Sequence, residues 1–172
     1  MTGLLVSVTN RQEAEIALEA GVDILDMKNP AAGALGRLPL ETVADIVTVA
    51  KGCCTTSATI GDLPMQPELV AAAVAEMAET GVDIVKIGFF GSAAHEACAE
   101  AASRAVAGRA RLVAVLMADE TPDMSLIPVL RQQRFYGVML DTASKSGKHL
   151  LDYCNIGELR DFCERAKHQG LI

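Results

Sequence analysis

Short apolar runs alternate with longer amphipathic, alanine- and glutamate-rich stretches about every 30 residues, the pattern of strand-helix units wound around a parallel sheet. The runs predict strands over Leu4–Val8, Asp23–Met27, Thr56–Ile60, Asp83–Ile87, Leu112–Leu116 and Gly137–Leu140, with helices filling the gaps. Asn10, followed by Glu13, has the spacing of a helix cap and capping box, and Gly21, Gly81 and Gly170 read as helix stops. After Gly170 come only Leu171 and Ile172, which read as the opening of a seventh strand.

Six such units fit an α/β fold, a TIM-like (β/α)8 barrel, in which eight units take roughly 250 residues. The expectation is a single barrel domain over residues 1–172, truncated after about six βα units, with strands 7 and 8 missing. An open doubly wound sheet is the competing arrangement. The near-uniform repeat, and polar groups at the ends of several consecutive strands, favour the barrel.

Two of the strands belong to a repeat. Glu19-Ala-Gly-Val-Asp-Ile-Leu-Asp-Met-Lys28 and Glu79-Thr-Gly-Val-Asp-Ile-Val-Lys86 share a helix-end glycine, an aspartate-led apolar strand and a closing lysine. Strand side chains alternate faces, so Asp26 and Lys28 share one face. Aligned on Gly-Val-Asp-Ile, the two lysines fall on the same side of the sheet, at the carboxyl ends where parallel α/β enzymes carry their chemistry.

Composition removes several classes of function. The 172 residues are 51% apolar, enough for one sizeable core, but no run of roughly 18 apolar residues could span a membrane, and the amino terminus lacks a basic signal-like region. Five cysteines without a Cys-x-x-Cys pair suit a reducing cytoplasm rather than a disulfide framework. A net charge of -7, with four Phe, two Tyr and no Trp, offers nucleic acid neither a basic footprint nor a stacking platform. His95, His149 and His168 are dispersed without metal-ligand spacing, His95 and His168 reading as helix-surface residues, and no dinucleotide fingerprint or P-loop occurs. Self-association through apolar surface left by an incomplete barrel is the expected assembly, a homo-oligomer.

The chemistry resides in the lysines. Of six, Lys28, Lys86 and Lys145 belong to the even-numbered strands or the loops that follow them, whereas Lys51 and Lys167 sit where ordinary surface lysines do. A lysine enclosed in a partly desolvated mouth near another cation is more readily the neutral amine that attacks a carbonyl carbon. Asp26, on the face of Lys28, would orient the amine and carry protons. The competing reading is purely structural: Lys28 and Lys86 pairing with Asp26 and Asp141 to fill the interior, a weak stabiliser compared with apolar packing.

Three loops add polar groups. Asp141-Thr-Ala-Ser-Lys-Ser-Gly-Lys148 combines a carboxylate, hydroxyls and two cations, suited to proton transfer and anion binding. Ser57-Ala-Thr-Ile-Gly-Asp62 ends in an aspartate able to bind a substrate hydroxyl, or to form a plain turn. Asn29-Pro-Ala-Ala-Gly-Ala-Leu-Gly36, directly behind Lys28, could admit substrate or close as a lid.

Taken in order, Asp26-Met-Lys-Asn-Pro30 with Gly33 and Gly36, then Ser57 to Asp62, Val85-Lys-Ile-Gly88, and Asp141-Thr-Ala-x-Lys145 with Lys148 resemble the (5-formylfuran-3-yl)methyl phosphate synthase family of methanofuran biosynthesis. The resemblance runs from Leu4 to the end of the chain. It implies a TIM-like barrel that condenses two molecules of glyceraldehyde 3-phosphate into 4-(hydroxymethyl)-2-furancarboxaldehyde phosphate, releasing phosphate and water, without metal or organic cofactor. By motif position Lys28 would form the Schiff base and Lys86 would accept the proton, with Asp26, Asp141 and Lys145 completing the site; Asp62 and Lys148, from the loop chemistry above, are the expected substrate-binding residues. The resulting enamine would attack a second aldehyde. A class I aldolase on another sugar phosphate and a non-catalytic barrel binding a phosphorylated metabolite are the alternatives.

Overall fold

The computed structural model describes residues 3–91, 94–144 and 147–172. Six strands form one sheet in sequence order, all parallel: β1 (Leu5–Val8), β2 (Ile24–Met27), β3 (Thr55–Thr59), β4 (Ile84–Phe89), β5 (Arg111–Met117) and β6 (Gly137–Asp141). A helix follows each: α1 (Arg11–Glu19), α2 (Leu40–Ala50), α3 (Pro67–Glu79), α4 (His95–Val106), α5 (Leu126–Gln132) and α6 (Ile156–His168). Uninterrupted sequential order, with no strand inserted between neighbours, is barrel topology and not the reversing order of a doubly wound sheet. Ile172 donates its backbone N–H to Tyr136 and accepts from Val138, continuing the parallel ladder beyond β6.

The two faces of the sheet divide by alternation. Leu25, Met27, Val85, Ile87, Ala114 and Leu116 are buried in the main core with the helices, whose apolar stripes include Val43, Ile46, Val74 and Met77. The other face carries Ser7, Asp26 and Ser57 in register, Lys86 one inward step further along opposite Thr59, and Asp141 opposite Met117, and it borders a cavity of about 190 Å³ lined by Leu5, Ile24, Ile84 and Val113 among others. Side chains from all six strands reach this one cavity, which is how a curled sheet differs from a flat one.

Local sequence accounts for the elements. Asn10 accepts from the Glu13 N–H at 2.9 Å, while the Glu13 carboxylate accepts the N–H of Thr9 rather than of the cap itself. The repeated aspartates act as ties between strand starts: Asp23 accepts from Leu4 N–H at 2.7 Å, and Asp83 from both the N–H and hydroxyl of Thr56 at 2.8 Å. Strand lengths differ from expectation in one consequential place. β4 runs on to Phe89, because its ladder with β5 continues through Gly88–Val115 and Phe89–Leu116, so Lys86 lies mid-strand instead of near its end. The five cysteines are free thiols, and among the described residues no helix is long and apolar enough to cross a membrane.

Candidate active site

Asp26 sits at the centre of the inner face, 1% exposed. One of its oxygens takes Lys86 Nζ at 2.7 Å and the Ser57 hydroxyl at 2.5 Å; the other takes the Ser7 hydroxyl at 3.1 Å. Three neighbouring strands thus supply three donors to one carboxylate, which offsets the cost of burying its charge. Lys86 itself is 5% exposed. The sequence placed Asp26 beside Lys28; the structure pairs it with Lys86, since a side chain in a curled sheet reaches across strands more easily than along its own.

Lys28 follows the last residue of β2 and keeps its inward direction. Its amine lies 4.0 Å from Asp141 Oδ2, at the limit of an ion pair, and its side chain retains 21% exposure against 6% for Lys86. Asp141 closes β6 and accepts the N–H of Thr142 through its other oxygen. The two lysines therefore occupy different settings: one locked in a dry pair, the other near the mouth with a looser partner.

The remaining expected residues divide. Asp62 does not present a free carboxylate: its two oxygens accept the backbone N–H groups of Ala34 and Leu35, each at 2.8 Å, anchoring the loop that follows Lys28. Lys148 is exposed, its amine 5.4 Å from the centre of the Tyr153 ring. Lys145 lies outside the described residues.

Several contributors are not among the residues singled out from the sequence. Asp119, just past β5, accepts the N–H groups of Ala143 and Ser144 at 2.8 Å, fixing the loop behind Asp141. Burial pushes its carboxyl up, but these backbone donors outweigh that and hold it below the usual carboxylate range. Glu120 accepts the Gly91 N–H at 2.8 Å, tying down the loop after β4. His95, read from sequence as a helix-surface residue, is half-buried at the start of α4, donates to the Phe90 carbonyl at 3.0 Å and meets the Phe89 ring edge-on. Strand-end acids were the available clue to Asp119 and Glu120.

The loop after Lys28 folds into the mouth. Its ends meet where Asn29 N–H reaches the Gly36 carbonyl at 2.8 Å, and Thr59 donates its hydroxyl to the same carbonyl at 2.9 Å. Leu35, next to that closure, is 1% exposed and packs on Val115 and Met117 of the inner face, with Phe90 and Met139 alongside. At Gly33, φ of +122° and a space where a Cβ would lie 2.1 Å from Asp62 Oδ2 leave room only for glycine. Among the described residues no cluster of three His, Cys, Asp or Glu could hold a metal ion.

Two buried-to-mouth lysines with separate carboxylate partners suit chemistry in which one amine attacks and another group moves protons. The family model described as 4-HFC-P synthase matches residues 4–172. The (5-formylfuran-3-yl)methyl phosphate synthase of Methanopyrus kandleri is 38% identical over 98% of this chain and 76% of its own length, and a relative from Methylorubrum extorquens is 41% identical over 98% of this chain and 69% of its own. Among solved structures, CutC from Streptococcus agalactiae superposes with a TM-score of 0.76 at 17% identity, covering 98% of this chain and 85% of that one, a likeness of fold. The chain is an enzyme by these relationships and belongs to the 4-HFC-P synthase family.

Proposed function

We propose that the protein condenses two molecules of glyceraldehyde 3-phosphate into (5-formylfuran-3-yl)methyl phosphate, with release of phosphate and water, in cytoplasmic methanofuran-type cofactor biosynthesis. The observation that carries this reading is the unequal setting of the two lysines: Lys86 sits 2.7 Å from the buried Asp26, whereas Lys28 faces the mouth with Asp141 at 4.0 Å. Lys28 is the nucleophile that forms an imine with the triose carbonyl. The iminium acidifies the adjacent carbon, and Lys86, once it has handed a proton across its 2.7 Å contact to Asp26, is the neutral amine that takes the carbon's proton. The enaminol so formed loses phosphate to an unsaturated iminium, to which carbon of the second triose adds.

The atoms balance without an oxidant. Two triose phosphates lose one phosphoric acid and two waters, and closing the ring to an aromatic furan drives the dehydration. Asp141 stands where it can protonate a leaving group, with Lys145 assigned to the same region by its motif position. Lys148 and the loop around it supply cationic charge for substrate phosphate.

Borohydride reduction in the presence of glyceraldehyde 3-phosphate, followed by peptide mass mapping, tests the assignment. A reduced triose adduct is expected on Lys28. Lys28→Arg is expected to abolish trapping while retaining the fold, and Lys86→Arg to retain trapping while losing the ultraviolet-absorbing furan product. Turnover surviving in Lys28→Arg would refute the imine mechanism, and absence of any lysine adduct would favour a phosphometabolite-binding role.

A further inference from the structure

We infer that Leu35 is a positioning residue of this reaction: clamped by Asp62, it roofs the carbon-handling half of the site and keeps water from the Lys28-bound intermediate. The inference rests on the imine reading of Lys28. A leucine in a connecting loop ordinarily lies at the surface. Leu35 instead is buried on the inner face, against Val115 and Met117.

Its placement is built. Asp62 holds the N–H groups of both Ala34 and Leu35, and Gly33 leaves the room that carboxylate needs. At Gly36 a Cβ would lie 2.2 Å from the Asn29 carbonyl, so the loop closes only with glycine there. At Gly88, the next inward position of β4 after Lys86, a Cβ would lie 2.7 Å from Leu35 Cδ1. Leu35 and the Phe90 ring, whose Cε2 would lie 2.4 Å from the same Cβ, thus fill the space immediately beyond Lys86, and the Leu35 loop starts immediately beyond Lys28. Both lysines border one apolar roof.

The chemistry of a triose imine gives that roof a task. Once the C2 proton leaves, the electron pair of the enaminol can expel phosphate from C3, breaking the carbon–oxygen bond and leaving an unsaturated iminium on Lys28. That electrophile has two fates. Carbon from the second triose adds to it on the way to the furan, or water releases it from the lysine as methylglyoxal. The second fate converts one triose phosphate into one methylglyoxal and one phosphate, with the amine regenerated and no oxidant consumed. Exclusion of water from a closed site suppresses such leakage.

The test measures the ratio of methylglyoxal, captured with o-phenylenediamine, to furan product, using full-length protein and glyceraldehyde 3-phosphate, with spontaneous elimination subtracted from Lys28→Arg controls. Leu35→Ala is expected to raise the ratio several-fold while the borohydride adduct on Lys28 persists. Leu35→Met, which refills the volume, is expected to bring it down again. Asp62→Asn is expected to raise it too, because an amide nitrogen would face a backbone N–H, and this variant decides the matter if Leu35→Ala does not fold. An intact adduct with an unchanged ratio in both Leu35→Ala and Asp62→Asn would overturn the roof alone. No adduct in the parent protein would overturn the imine reading, and the roof with it.

Discussion

Asp26 shows how a buried charge is made tolerable by its neighbours. Ser7, Ser57 and Lys86 all donate to it from different strands, and each would be left without this partner if the carboxylate were removed. Asp26→Ala, which strands the Lys86 ammonium in a dry interior, is expected to cost about 3–5 kcal/mol of stability. The double variant Asp26→Ala with Lys86→Met, which removes both charges, is expected to cost less than the sum of the two single changes. Urea unfolding of the three variants and the parent checks this, and simple additivity would mean the two side chains do not act as a pair. The pair was only half legible in the sequence. Alternation gave the inward direction of both residues, but the choice of partner depends on how far the sheet curls, which no local pattern encodes.

At the scale of elements, the loops after odd strands hold the loops after even ones. Asp62 beyond β3 secures the loop after β2; Asp119 and Glu120 beyond β5 secure those after β6 and β4. Asp119 gives this bracing a dependence on acid. Its folded pKa lies below the ordinary value of 3.8, so its contribution is complete above that value and is lost as pH falls through the lower, folded pKa. The parent is therefore expected to lose stability faster than Asp119→Asn as the pH drops below about 3.8, measured as the urea midpoint against pH. Strands were legible because period and turn residues are local. The braces were not, because each joins a side chain to backbone amides of another unit, and a backbone amide has no signature in a sequence. The mid-strand position of Lys86 was missed for a related reason: where β4 ends is set by the length of β5 beside it.

Across the whole molecule, protection is expected to fall from the centre of the sheet to its first strand. Every residue of β4 is buried, and Ile84 to Lys86 are paired on both sides, whereas among the described residues β1 pairs with β2 alone and Leu4 and Leu5 are exposed. Hydrogen exchange in β4 is expected to be slower than in β1 by a wide margin, and equal rates would indicate that the sheet opens as one cooperative unit. The alternation of bracing and reacting units has a further consequence. A single strand-helix unit copied elsewhere would bring either lysines with no scaffold or a scaffold with nothing to hold. Units two and three form a self-contained pair, while unit five clasps both four and six and binds those three into one block; the Gly-Val-Asp-Ile motif opens each block, in units two and four. A designer extending or grafting this barrel would cut it between units three and four, leaving each carboxylate clasp and the mouth it shapes on the same segment.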